Sequence, residues 1–191
     1  MVEAKLAEEL KVGISPVREA LQQLEHIGLV TRFLNRGSYI TKLSLNEVKQ
    51  IYRLRGELET LSLKFALEAP ERPNVDALQE CAHELIRAAT ESSRSKFVHW
   101  DLQFHQQMCR IASDPFLEKC LLMLITPLFA FVLIRLQHEP PVPFNIVEVA
   151  RQHQQIVDLF ELRNTTKALQ RMRAVMEGFR HEIIETLYGP Q

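Results

Sequence analysis

Residues 12–40, VGISPVREALQQLEHIGLVTRFLNRGSYI, read as a short helix followed by a hairpin. Val17, Leu21, Leu24 and Ile27, with Ala20 beside them, recur at the three-to-four spacing of one helix face. Ser15, Arg18, Gln22 and Glu25 recur on the opposite face. Pro16 suits a first helical turn, Ser15 or Gly13 can cap it, and Gly28 stands where a left-handed stop is expected. Two strand-like runs follow, LVTRF and SYITK, about the turn Leu34-Asn35-Arg36-Gly37. Residues 30–43 carry Arg32, Arg36 and Lys42 and no acid.

Upstream, EAKLAEELK places Leu6, Ala7 and Leu10 on one face of another short helix, joined through Lys11-Val12-Gly13. Two short helices with a tight turn fit a helix-turn-helix, whose second helix enters a DNA major groove. The hairpin is then a wing. On this reading Ser15, Arg18 and Gln22 face base edges, and Arg32, Arg36 and Gly37 meet phosphate or the minor groove. A lone amphipathic helix with one arginine is usually only a surface helix. The complete series of helix, turn, helix and basic hairpin is far more specific.

The 191 residues suffice for one medium domain or two small ones, and 46% hydrophobic with 25% charged residues is ordinary globular composition. The net charge of −1 excludes a strongly basic coat. Residues 1–43 balance to +1 and the remaining 148 to −2, so attraction to DNA is local to the second helix and wing. Cys81, Cys109 and Cys120 lack metal-type spacing and read as reduced, buried thiols of a cytoplasmic protein. The run LLMLITPLFAFVLI, 121–134, is shorter than the roughly 20 residues a bilayer requires and is interrupted by Pro127. It reads as a kinked, buried helix, with no membrane partner.

Beyond Leu43 the pattern changes. Ser44 and Glu47 form an S-x-x-E capping box that opens a new helix. Helices are predicted at about 45–68, 73–92, 95–113, 115–138, 145–161 and 164–187, with N-caps from Ser113-Asp114-Pro115 and Asn164-Thr165-Thr166. With no convincing strand after 43, the fold is expected to be mainly α. A winged helix-turn-helix at 1–43 precedes an all-α six-helix bundle at 44–191.

Asp101 and His105 lie four residues apart, so both project from one helix face and can hold a divalent metal. His153 heads a helix whose apolar face includes Ile156, Val157 and Phe160. A buried hydrogen-bonded Asp–His pair without metal is the competing reading. Arg135, an isolated cation in an apolar helix, either clamps an effector carboxylate or pairs at the surface. Glu80 to His83 forms a lone E-x-x-H, and no Walker loop, nucleophile elbow or dinucleotide fingerprint appears. A metal-dependent enzyme would need an acid or base beside the metal, and none is evident near Asp101 and His105. An interaction module with a vestigial DNA-binding half is the third reading.

LAEEL, SPVREALQQLEHIGLVTR and RGSYIT resemble the winged helix-turn-helix of GntR-family bacterial transcription regulators. IYRLRGELETLSLKFA and DLQFH resemble the helical effector domain of that family's FadR/VanR-like (FCD) branch. The resemblance covers nearly the whole chain; PVREAL and D-x-x-F-H, about 85 residues apart in this order, make it specific. Six helices match the VanR-like form better than the seven-helix FadR-like form. Lys11, Gly13 and Ile14 stand where the family usually has Gly, Ser and Arg, so a DNA-contacting arginine is absent at 14 while Arg18 is retained. The family places a helix before LAEEL, so this chain is expected to start inside the winged domain and to expose Leu6, Leu10 and Leu24. The resemblance implies a homodimeric regulator, a repressor by expectation, of a double-stranded DNA operator, controlled by a small organic acid. It also implies a divalent metal of the zinc, nickel or manganese type. Asp101, His105 and His153 match three of the family's four ligands, and Val175 stands at the fourth. Three ligands still leave a position open for water or an effector oxygen, and Val175 makes that opening larger and less polar.

Overall fold

The computed structural model describes residues 3–33, 37–71, 73–138, 145–162 and 164–189. Helices α1 (Glu3–Leu10) and α2 (Ile14–His26) precede strands β1 (Val30–Phe33) and β2 (Gly37–Ile40), which pair antiparallel with Val30 opposite Ile40. Ala7, Val17, Leu21 and Val30 are buried together, with Leu6 and Leu24 packed against them. Four buried side chains make a small core, and Leu10 is 64% exposed. Gly13, not Ser15, is the N-cap of α2. Gly28 follows its C-cap at φ 76°, a backbone that L side chains avoid. The turn residues 34–36, Arg36 among them, lie outside the described residues.

Six further helices follow: α3 (Leu45–Glu68), α4 (Asp76–Thr90), α5 (Arg94–Ile111), α6 (Pro115–His138), α7 (Ile146–Leu159) and α8 (Thr165–Tyr188). Their starts follow local chemistry. Ser44 Oγ accepts from the Glu47 amide at 3.3 Å, and Glu47 Oε2 accepts from the Ser44 amide at 2.8 Å. Asp114 Oδ1 accepts from the amides of Phe116 and Leu117, and Asn164 Oδ1 from that of Lys167. These bonds satisfy amides that a helix start leaves without partners. The Pro-rich stretch at 139–144 lies outside the described residues.

The six helices share one large core, with Leu63, Leu85, Phe97, Phe104, Leu121, Ile125, Leu128, Ile156 and Met172 fully or almost fully buried. Helix α6 is long and apolar enough to cross a bilayer, but here its Leu121–Ile125–Leu128 edge packs into this core. Pro127 lies inside the helix. A Cβ added at Gly28 would lie 3.5 Å from the Pro127 ring, so the end of α2 rests against the middle of α6. Cys81 and Cys109 are buried; Cys120 is exposed, contrary to the expectation for it, because it falls on the outer face of α6.

Candidate metal centre and nucleic-acid interface

Asp101 and His105 project from α5 and His153 from α7 into the middle of the bundle, and both histidines are essentially inaccessible. Each ring is oriented from behind. His105 Nδ1 donates to Glu59 Oε2 at 2.8 Å, and His153 Nδ1 donates to the Val149 carbonyl at 2.7 Å. Both Nε2 atoms therefore turn inward, 3.2 Å from each other. Asp101 Oδ1 lies 2.8 Å from His153 Nε2 and 3.2 Å from His105 Nε2. Phe104, Phe129 and Phe179 wall the pair, with the Phe179 ring 4.7 Å from that of His153.

Three acceptor atoms thus converge at the edge of a small cavity, the two histidines inaccessible and Asp101 partly exposed. With each Nδ1 donating, both Nε2 lone pairs and the carboxylate face one another, an arrangement that requires a proton or a cation beside them, and the Arg55 guanidinium against His105 Nε2 is one such cation. Ligands about 2.0–2.1 Å from a tetrahedral zinc stand roughly 3.3 Å apart, close to the spacings here. Glu59 and the Val149 carbonyl are the outer partners that metal-bound imidazoles require. The residues therefore fit a divalent metal, and among the described residues this is the group of histidine, cysteine and carboxylate side chains that can hold one.

Arg55 and Glu59, buried one turn apart on α3, complete the cluster. Arg55 Nε pairs with Glu59 Oε1 at 2.5 Å, and Arg55 Nη2 contacts His105 Nε2. The guanidinium lies over Tyr52 at 5.0 Å and Phe129 at 5.4 Å. Burial alone would raise the Glu59 pKa, but the charges of Arg55 and His105 and their hydrogen bonds hold it well below the usual carboxylate value. Burial also opposes ionisation of Asp101, and the two histidines outweigh it, so this carboxyl too stays ionised. For His105, burial and Arg55 favour the neutral ring, while Glu59 and the hydrogen bonds to Asp101 and Glu59 prevail and raise its pKa above the ordinary 6.5. A metal needs the neutral ring. Zinc affinity, read by competition with a chromophoric chelator, should therefore fall as pH drops through the raised His105 value. It should level off only above 6.5.

The cavity beside these groups is lined by Tyr52, Arg55, Asp101, Phe129, His153 and Phe179 among others. Val175 and Arg135 are not in its wall. Val175 is half-buried against the core, one turn before Phe179, and Phe179 takes the place over the histidines. Arg135 donates to the Leu187 carbonyl at 2.8 Å and lies over Phe131 and Tyr188, near the end of α8. Arg55 and Glu59 escaped the sequence reading. The signal for them was their place in the run Val48, Tyr52, Arg55, Glu59, Leu63, Ala66, a single buried seam of α3.

On α2, Ser15, Arg18 and Gln22 are exposed together. Arg18 Nε donates to Glu3 Oε2 at 3.0 Å, and Arg32 Nη2 to Glu3 Oε1 at 3.1 Å, so one carboxylate holds a helix arginine and a wing arginine. Ser15 Oγ donates to Glu19 Oε1 at 3.3 Å. Gly37, at φ 81°, opens β2.

A winged helix-turn-helix followed by a helical bundle with a buried polar centre is the architecture of a two-part regulator. The FCD domain family matches residues 50–178, and the family described as bacterial regulatory proteins, gntR family, matches residues 1–40. The chain belongs to the GntR family, in its FCD branch. It is 26% identical over 120 residues to the HTH-type transcriptional regulator YdhC of Bacillus subtilis, covering 62% of this chain and 54% of that protein. It is 28% identical over 117 residues to the Nta operon transcriptional regulator of Aminobacter aminovorans, covering 61% and 55%. The chain thus spans about half the length of these curated relatives. Among solved structures, a GntR regulator from Rhodococcus sp. RHA1 superposes with a TM-score of 0.79 at 17% identity, over 96% of this chain and 86% of that one. E. coli McbR/YncC superposes with 0.78 at 18% identity, over 98% and 87%. These two likenesses show the fold. The matched families and relatives are transcriptional regulators, not enzymes.

Proposed function

We propose that residues 1–43 bind an operator in double-stranded DNA and that residues 44–191 set the affinity of that binding. The control is exerted by a small organic acid held beside a divalent metal on Asp101, His105 and His153. The observation that carries the reading is the convergence of three acceptors on one buried point with the Arg55 guanidinium against it. A metal there supplies open coordination positions for a carboxylate oxygen. Arg55, whose Nε and Nη2 are held by Glu59 and His105, adds positive charge beside the rest of that carboxylate. A relative, the gluconate operon transcriptional repressor of Bacillus licheniformis, is named as a repressor and is 32% identical over 112 residues, 56% of this chain and 44% of that protein. Repression is the sense proposed here as well. The test is elemental analysis of the purified protein, then operator binding with and without a panel of acids, before and after chelation. Operator affinity that ignores every acid in both states overturns the proposal.

In this reading Arg18 contacts a base edge, with Ser15 and Gln22 beside it and Arg32 and Arg36 on the backbone. Arg18→Ala should weaken binding to the specific site by about 1–3 kcal/mol and relax its sequence preference, as measured by fluorescence anisotropy on matched and scrambled duplexes.

A second copy of the chain is the other partner. Ile51, Leu54, Leu58, Leu61 and Phe65 follow one another at three- and four-residue steps along α3. Ile51, Leu58 and Phe65 are partly buried against the chain's own core, while Leu54 remains 54% and Leu61 36% exposed. An apolar seam of that spacing suits a facing helix, and a two-fold dimer doubles the base pairs one short helix can read. Light scattering should show twice 22.2 kDa for the wild type, and the monomer for a Leu54→Glu/Leu61→Glu variant.

A further inference from the structure

The cavity beside the metal position measures about 20 Å³, room for roughly one water. No carboxylic acid fits there unless the wall moves. Part of that wall is Tyr52, and the same residue borders a second space. Between α3 and α8 runs an open groove of about 600 Å³, lined by Tyr52, Lys49, Arg53, Gly56, Arg173 and Arg180 among others. Tyr52 is therefore the partition between a small inner chamber and a large outer one.

The charges of the outer chamber are unequally satisfied. Arg173 pairs with Glu57 at 4.0 Å, and Arg180 pairs with Glu177. Lys49 and Arg53 stand one helical turn apart, and among the described residues neither has a hydrogen-bond or ion-pair partner. Like charges at this spacing repel one another, so an anion seated between them gains from both. On the inner side of Tyr52 stands another cation, Arg55, 5.0 Å from the ring centroid.

Resting on the acid-binding reading above, we propose that the α3–α8 groove is the outer half of the effector site and that the effector is a dianion. One acidic group passes Tyr52 to reach Arg55 and the metal position. The other stays in the groove on Lys49 and Arg53. The length of the ligand follows from the partition: its two acidic groups are separated by at least the thickness of an aromatic ring.

The test is calorimetry on the full chain with zinc added, titrating succinate, glutarate and adipate against butyrate, valerate and hexanoate. At least one dicarboxylate should bind about ten-fold or more tightly than the monocarboxylate of equal length. Lys49→Gln/Arg53→Gln should abolish that preference and leave zinc content as it was. Tyr52→Ala should speed association of every acid that binds. Equal binding of the two classes, or a preference that survives the double substitution, overturns the inference. If monocarboxylates bind and loosen the DNA complex without any such preference, this inference alone falls. If neither class binds, the acid-binding reading falls with it.

Discussion

Arg55→Met should destabilise the bundle by about 3–5 kcal/mol, the cost of leaving a buried charge without its partner. Glu59 is inaccessible, and its carboxylate is held ionised by Arg55 first and His105 second. Removing Arg55 leaves the inaccessible Glu59 with His105 alone as its charged partner, so Glu59 must either take up a proton or stay ionised with half its compensation lost. The side-chain volume is nearly conserved, so packing loss adds little. The companion substitution makes the prediction specific. Arg55→Met/Glu59→Leu removes both charges and should recover much of the lost stability, since a buried ion pair replaced by apolar groups is often close to neutral. Chemical denaturation of the two variants and the wild type measures the difference. Equal loss in single and double variants would show that Arg55 matters only as volume.

The second large effect belongs to the metal. His105→Ala should lower zinc affinity by more than the roughly 10–100-fold that loss of an outer partner causes, because it removes one of three ligand atoms. His105→Ala also deletes the acceptor that Arg55 Nη2 contacts. Phe179→His tests the same geometry in the opposite direction. Phe179 stands 4.7 Å from the His153 ring and 6.0 Å from that of His105, ring centre to ring centre. An imidazole there can supply a fourth nitrogen and close the site. Zinc should bind Phe179→His more tightly than wild type, and Val175→His should not match it. Isothermal titration with competing chelator reads all three. A tighter Val175→His than Phe179→His would place the fourth side of the site one turn earlier on α8.

Where helices begin and end was legible because the chain marks those places with short-range chemistry. Ser44 with Glu47, Asp114 before Pro115, and Asn164 each satisfy amides of the turn that follows. Such bonds need no knowledge of the rest of the fold. Asp101 and His105 were legible because a four-residue step on a helix fixes a common face. His153 was legible through family likeness and an apolar face that drew it inward. Arg55 and Glu59 were not. A charged pair at that spacing usually lies on a solvated face, and only the packing of α5, α6 and α8 around α3 decides that this one is buried. Phe179 was missed for a related reason. Sequence register pointed to Val175, whereas the buried face of α8 runs through Met172, Met176, Phe179 and Ile183. The exposure of Cys120 likewise depends on which side of an apolar helix finds no neighbour.

The contact of Gly28 with Pro127 gives the molecule a short mechanical linkage. Leu128 and Phe129, the next two residues of α6, belong to the cavity wall. On the other side, Gly28 is the stop that ends the helix bearing Arg18. Pro127 also withholds an amide from the helix ladder, so α6 lacks one of its own restraints at this point. A guest that pushes Leu128 or Phe129 outward would therefore turn α6 about its weakest turn and press on the tail of α2. Close packing leaves no slack to absorb the displacement. A guest that fits both arrangements equally well would move nothing. On the proposed control of DNA binding by a guest, the proline would be the fulcrum, with the cavity on the short arm and the grip on DNA at the far end of the long one.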